Sequence, residues 1–105
     1  MYYPVSSLLI EFLILSVVSR QDSYGYEISQ TVKLAAEIKE STLYPILRRL
    51  QQSGYLTTYN QEYQGRNRKY YSITEDGKKQ LSFLSDEWKT FKETIDGIIE
   101  GRVNA

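Results

Sequence analysis

The chain has no cysteine and no histidine among its 105 residues. Without cysteine there is no disulfide frame, no thiol nucleophile and no cysteine-ligated zinc. Without histidine, imidazole triads and His-ligated metals are excluded as well. Carboxylate and lysine chemistry survive formally, but no acid–base pair, metal cluster or phosphate-binding loop is present, so the chain reads as a non-enzyme needing no cofactor. A membrane-spanning run is missing too. The apolar stretch Val5 to Val18 covers only 14 residues, is broken by Glu11, and follows no basic leader. It reads as a buried helix in a cytoplasmic protein. Repeats, linkers and low-complexity segments are absent, and the length suits one modest core.

Net charge is also absent, with 13 basic and 13 acidic side chains. Its distribution is uneven. Residues 1–38 carry two basic and four acidic groups, and residues 74–105 carry five and seven. Residues 39–73 hold Lys39, Arg48, Arg49, Arg66, Arg68 and Lys69 against Glu40 and Glu62. The positive excess thus lies in the middle third, as expected of a phosphate-facing surface on a neutral protein.

That third is organised around Ser41–Leu50. Leu43, Ile46, Leu47 and Leu50 recur at i, i+3, i+4 and i+7 and share one helical face. The opposite face carries Ser41, Pro45, Arg48 and Gln52, flanked by Tyr44 and Arg49. Ser41 or Thr42 is the expected N-cap, Pro45 falls in or just beyond the first turn, and Gly54 suits the left-handed position after the end. A greasy seat with hydroxyls, an aromatic ring and guanidinium groups outward suits a helix that reads DNA. A surface helix with solvated arginines has the same pattern, and the neighbouring segments decide between the two.

Upstream, a helix over Val5 to Ser19 is apolar on nearly every side and needs cover on both. In so small a domain the second cover is expected from another subunit. Gln21-Asp22-Ser23 breaks the chain, and a second helix is expected from Tyr24 to Ala36, burying Ile28, Val32 and Ala35. Gly25 in its first turn implies close packing. A short connection, Glu37 to Glu40, completes helix-turn-helix grammar. Downstream, Tyr55–Tyr63 and Lys69–Ile73 read as strands, joined by the turn Gln64-Gly65-Arg66-Asn67-Arg68 with its basic tip. A hairpin after a helix-turn-helix is a wing, and a basic tip suits phosphate or minor-groove contact.

Thr74 should cap a last helix running to about Glu100 and stopping at Gly101. Leu81, Leu84, Trp88, Phe91, Ile95 and Ile98 follow spacings of 3, 4, 3, 4 and 3, an a/d seam asking for a partner. The expected architecture is mostly α with a small β-hairpin. Residues 1–74 form a winged helix-turn-helix domain whose first helix also meets the dimer partner, and residues 75–105 form a dimerisation helix.

The ordered set Tyr24-Gly25-Tyr26-Glu27-Ile28, Thr42-Leu43-Tyr44-Pro45 with Leu47, Arg49 and Leu50, then Gly54, Gly65-Arg66, Arg68-Lys69-Tyr70-Tyr71 and Thr74-Glu75 with Gly77 resembles the PadR-family transcriptional regulators. The likeness is to the short type with one C-terminal helix and covers roughly residues 8–100. Many members have Pro-Gly where this chain has Glu40-Ser41. The resemblance implies a homodimeric repressor at a roughly palindromic DNA operator, released by a planar aromatic or phenolic effector. By position it assigns DNA contacts to Ser41, Thr42, Tyr44, Pro45, Arg48 and Arg49, with Arg66, Arg68 and Lys69 on the wing. Which of Arg48 and Arg49 reaches a base stays open. An effector slot would use Phe12, Leu81, Leu84, Ser85 and Trp88, with the paired tryptophans as walls. The competing reading is a winged-helix protein-interaction module that touches no nucleic acid. Clustered charge on both helix and wing favours DNA.

Overall fold

A computed structural model describes residues 5–102. Four helices and three short strands follow in the order α1 (Ser7–Arg20), β1 (Ser23–Tyr24), α2 (Gly25–Val32), α3 (Glu40–Gln52), β2 (Leu56–Tyr63), β3 (Arg66–Ile73) and α4 (Glu75–Ile99). The ends of the two domain spans, residues 1–4 and 103–105, lie outside the described residues.

The apolar helix α1 runs through the centre. Its Ile10, Ile14, Leu15 and Val18 are buried against Ile28 and Val32 of α2, Leu43 and Leu47 of α3, Tyr71 of β3 and Leu84 of α4. Every other helix therefore takes its position from α1. Its other side is covered only in part by the described residues: Phe12, Leu13 and Val17 are half-buried and Leu8 is 55% exposed.

Helix α2 is shorter than its sequence period suggests. It ends at Val32, and the chain tightens into a turn in which the N–H groups of Leu34 and Ala35 donate to Thr31 and Val32 carbonyls. The tighter turn rotates the following residues, so Ala36 enters the core and Ala35, the expected core residue, faces outward.

Helix α3 begins at Glu40 rather than after a Ser41 or Thr42 cap. Lys39 takes the cap position without a side-chain bond, and its carbonyl accepts from both Thr42 and Leu43 N–H groups. Glu40 sits in the first turn, where the helix dipole favours it, and pairs with Lys33 at 3.3 Å. Ser41 and Thr42 thus lie inside the first turn, their hydroxyls not used for capping. Pro45 lies two or three residues further in than expected, and having no N–H it cannot donate to the Ser41 carbonyl one turn back. The seat is as its spacing predicts, with Leu43, Ile46, Leu47 and Leu50 all at most 4% exposed. Gly54, at φ +82°, then closes the helix: its N–H donates to the Gln51 carbonyl and that of Tyr55 to Leu50.

The wing is longer and its turn tighter than the expected five-residue loop. Strands β2 and β3 pair antiparallel from Leu56↔Ile73 to Tyr63↔Arg66, leaving only Gln64 and Gly65 in the turn. Both have positive φ, 52° and 79°, the twist that suits a two-residue hairpin. Arg66, Asn67 and Arg68 therefore belong to β3. A third strand has no periodicity to announce it. Ser23 and Tyr24 pair with Tyr71 and Tyr70, giving a sheet of order β1-β3-β2.

Thr74 caps α4 as expected, its hydroxyl oxygen accepting from the Gly77 N–H at 3.0 Å and its O–H donating to the Gly54 carbonyl at 2.6 Å. The 25-residue helix is about 37 Å long. Leu84 is buried, Leu81 packs on the core and Trp88 meets Phe12 of α1, whereas Phe91, Ile98 and Ile99 further along α4 are largely exposed.

Candidate nucleic-acid interface

The α3 side chains divide as their spacing demands. With the leucine and isoleucine face seated, Ser41, Thr42, Tyr44, Pro45 and Arg48 are all exposed. Tyr44 lies back across the start of α2. A Cβ on Gly25 would come 2.7 Å from its Cε1 and 2.8 Å from its Oη, so the absent side chain of Gly25 is what makes room for the ring. Near it, Tyr71 of β3 is buried. Burial raises its hydroxyl above the ordinary tyrosine value, Tyr44 adds to the rise, and Arg48 acts in the opposite sense. Lys69 lies 5.4 Å above the Tyr71 ring. Tyr44 and Arg48 of the reading helix and Lys69 of the wing, three expected DNA contacts, thus all act on the buried Tyr71.

The two neighbouring arginines of α3 differ. Arg48 has the open face. Arg49, about 100° further round, points its Nε at the Glu11 carboxylate of α1, 3.4 Å away. Glu11, which interrupts the apolar run of α1, thereby gains a partner 38 residues downstream.

On the wing, Arg66 and Arg68 lie on the sheet face opposite Lys69. Arg66 is exposed next to the turn. Arg68 is half-buried: its guanidinium carbon lies 3.9 Å from the Tyr24 ring centre and 3.8 Å from that of Tyr63. Its Nη1 donates to the Tyr70 hydroxyl at 3.3 Å. Tyr70 stacks on Tyr59 and meets Tyr24 edge-on, with ring centres 5.6 Å apart in both pairs. The Tyr59 O–H donates to Asp22 at 2.7 Å, and this bond is the main reason its hydroxyl titrates above the ordinary value. None of these tyrosines was among the expected site residues. The i, i+4 spacing of Tyr59 and Tyr63, which puts both on one face of a strand, was the available signal.

A second feature lies away from the wing. Between α1 and α4 is a groove of about 310 Å³ lined by Ser6, Leu8, Leu9, Phe12, Leu84, Glu87, Trp88 and Phe91. Phe12 and Trp88 face each other with ring centres 6.5 Å apart, and Phe91 lies 6.2 Å from Trp88. Of the expected slot residues, Phe12, Leu84 and Trp88 line this groove. Leu81 is packed on the core and Ser85 is half-buried, and neither is on the lining. Leu8, Leu9 and Phe91 join it instead.

A seated reading helix beside a two-stranded wing defines a winged helix-turn-helix protein. Residues 14–82 match the transcriptional regulator PadR-like family, and the chain belongs to that family. It is a transcription regulator rather than an enzyme, and PadR regulators bind DNA. The solved structure of smu.1704 from Streptococcus mutans UA159 is 65% identical and superposes with a TM-score of 0.97, over 100% of this chain and 99% of that one. A PadR family transcription regulator from Clostridium difficile R20291 is 33% identical, with a TM-score of 0.79 over 86% of this chain and 97% of its own. The uncharacterized protein X of Lysinibacillus sphaericus is 40% identical over 97 residues, 88% of this chain and 89% of its own. Among the described residues no helix is long and apolar enough to cross a membrane.

Proposed function

We propose that the chain is a homodimeric repressor acting on cytoplasmic DNA at a roughly palindromic operator, released by a flat aromatic effector. The observation that carries the reading is the division of α3 into a buried apolar seat and an exposed polar face, set beside a basic wing. Seated this way, α3 offers Ser41, Thr42, Tyr44, Pro45 and Arg48 to a major groove while Lys69, Arg66 and Arg68 reach the flanking backbone. Arg49, held towards Glu11, is the weaker candidate for a base contact, which leaves Arg48 as the guanine reader.

The exposed half of α4 supports the dimer. Phe91 and Ile98 are about 60% exposed and Trp88 is 38% exposed, on one seam of a helix that outruns its domain. A contiguous patch of this kind suits burial against a second copy. The same symmetry would set two Trp88 side chains near each other and close the groove with Phe12 and Phe91 into a flat slot. A ligand wedged there would alter the spacing of the two reading helices.

A labelled duplex of the DNA immediately upstream of the chain's own coding sequence tests this reading by fluorescence anisotropy. Tight binding that weakens steeply with salt and is impaired by Arg48→Ala is the expected result. Affinity no greater than for an unrelated duplex, with Arg48→Ala without effect, refutes it.

A further inference from the structure

The wing carries an arginine that does not hang free. We infer that Tyr24 and Tyr63 are positioning residues for Arg68: they hold its guanidinium between their rings and so present its N–H edge to a DNA phosphate. The inference rests on the DNA-binding reading and adds to it the residues that aim the contact.

The geometry of guanidinium makes the argument. Its donors lie in the plane of the group, and stacking uses only the two faces. With ring centres 3.9 and 3.8 Å away, both contacts are well inside cation–π range. Donors are committed to Tyr70 Oη at 3.3 Å and, more weakly, to the Tyr63 hydroxyl. The remaining edge stays available beside Arg66, Asn67 and Gln64, which with Tyr63 and Arg68 line a polar hollow at the end of the wing. A fork held in one plane suits bidentate recognition of phosphate.

Each part of the clamp is held in turn. The pairing Tyr24↔Tyr70 puts Tyr24 diagonally across from Arg68 on one side, and Gln61↔Arg68 puts Tyr63 diagonally across on the other. Tyr70 is fixed between Tyr24 and Tyr59, and Tyr59 is tied to Asp22 in the loop after α1. This gives β1 a purpose out of proportion to its two residues: it brings an aromatic face from before α2 onto the wing. A lone surface arginine loses its rotamer freedom when DNA binds, whereas here that loss has already occurred on folding.

The test measures binding of the same labelled upstream duplex across a salt series. Tyr63→Leu removes one face of the clamp and keeps the charge, so affinity should fall about fivefold per protomer with the salt slope unchanged. Tyr63→Phe keeps the ring and gives up only the weaker hydroxyl contact, so it should recover most of that loss. Arg68→Ala should lower the slope of log K against log salt by ~1 per protomer, and Arg68→Lys should keep the slope but lose affinity. Tyr63→Leu added to Arg68→Ala should cost nothing more. An equal loss from Tyr63→Leu in both backgrounds overturns the inference, as does wild-type affinity in Arg68→Lys. An unchanged slope in Arg68→Ala overturns it too while leaving DNA binding by α3 intact. Wild-type protein without salt-dependent binding overturns both readings.

Discussion

Gly25 is the position at which stability and DNA binding should come apart. In Gly25→Ala the new methyl carbon would sit 2.7 Å from Tyr44 Cε1 and 2.8 Å from Tyr44 Oη. Non-bonded carbons settle at roughly 3.5–4.0 Å, so the ring must retreat by about 1 Å. The colliding atoms are the far end of a side chain that is 39% exposed, and the ring has room to turn outward. The backbone does not resist, because Gly25 is absent from the positive-φ glycines. Replacing glycine at a compatible position stabilises by roughly 0.4–1 kcal/mol, and disturbing one half-exposed ring costs a similar amount. The net change in unfolding free energy should stay within ~1 kcal/mol, or a few degrees in Tm. DNA binding has no such compensation. A polar contact made by Tyr44 is worth about 1–1.5 kcal/mol, so its loss lowers affinity up to about tenfold per protomer. Urea melts and anisotropy titrations on the same preparations separate the two effects. In a Tyr44→Ala background the glycine substitution should leave DNA affinity unchanged and show only the stabilisation, about 0.4–1 kcal/mol. Wild-type DNA affinity in Gly25→Ala would remove Tyr44 from the interface, and a stability loss of several kcal/mol would show that its ring is wedged rather than draped.

Gly77→Ala should do the reverse of what helix propensity implies. Alanine ordinarily gains ~1 kcal/mol within a helix, but here its Cβ would collide with the Tyr55 carbonyl oxygen and sit 2.7 Å from Ile73 Cγ1. Backbone does not yield cheaply, so overpacking of about 1–3 kcal/mol should lower Tm, and a raised Tm in a thermal melt refutes the tight junction of α4 with the wing. Aspartate at both Phe91 and Ile95 places charges in the proposed dimer seam at a cost of several kcal/mol. Sedimentation should then find monomer, and an unchanged mass puts the seam on the outside. Trp88 is the sole tryptophan, so its fluorescence should be quenched by planar aromatic compounds at about one per dimer, with DNA affinity reduced by the reciprocal factor. A panel of planar cations and phenolic acids that moves neither signal leaves Trp88 a packing residue. Glu11→Gln breaks a half-exposed pair 3.4 Å long and should alter stability by less than 1 kcal/mol. It frees Arg49 and removes a negative charge, so DNA affinity at low salt should rise severalfold, and an unchanged value excludes Arg49 from the binding surface.

What the chain's own spelling determined is whatever depends on neighbours within a turn or two. The seat Leu43, Ile46, Leu47 and Leu50, the stop at Gly54, the Thr74 cap and the end of α4 before Gly101 are all local, because periodicity and caps act over three to seven residues. The features that tertiary structure decided involve partners far apart in the chain. Strand β1 exists only because Ser23 and Tyr24 meet Tyr71 and Tyr70. Arg48 and Arg49 read alike in sequence, and a carboxylate 38 residues upstream sets them apart. Ala36 displaces Ala35 from the core once α2 tightens into its final turn. A basic loop became two residues of turn and a strand, because cross-strand register outweighed turn composition and drew Arg68 in between Tyr24 and Tyr63. Local sequence limits what each segment is, and the long-range contacts choose which way its side chains face.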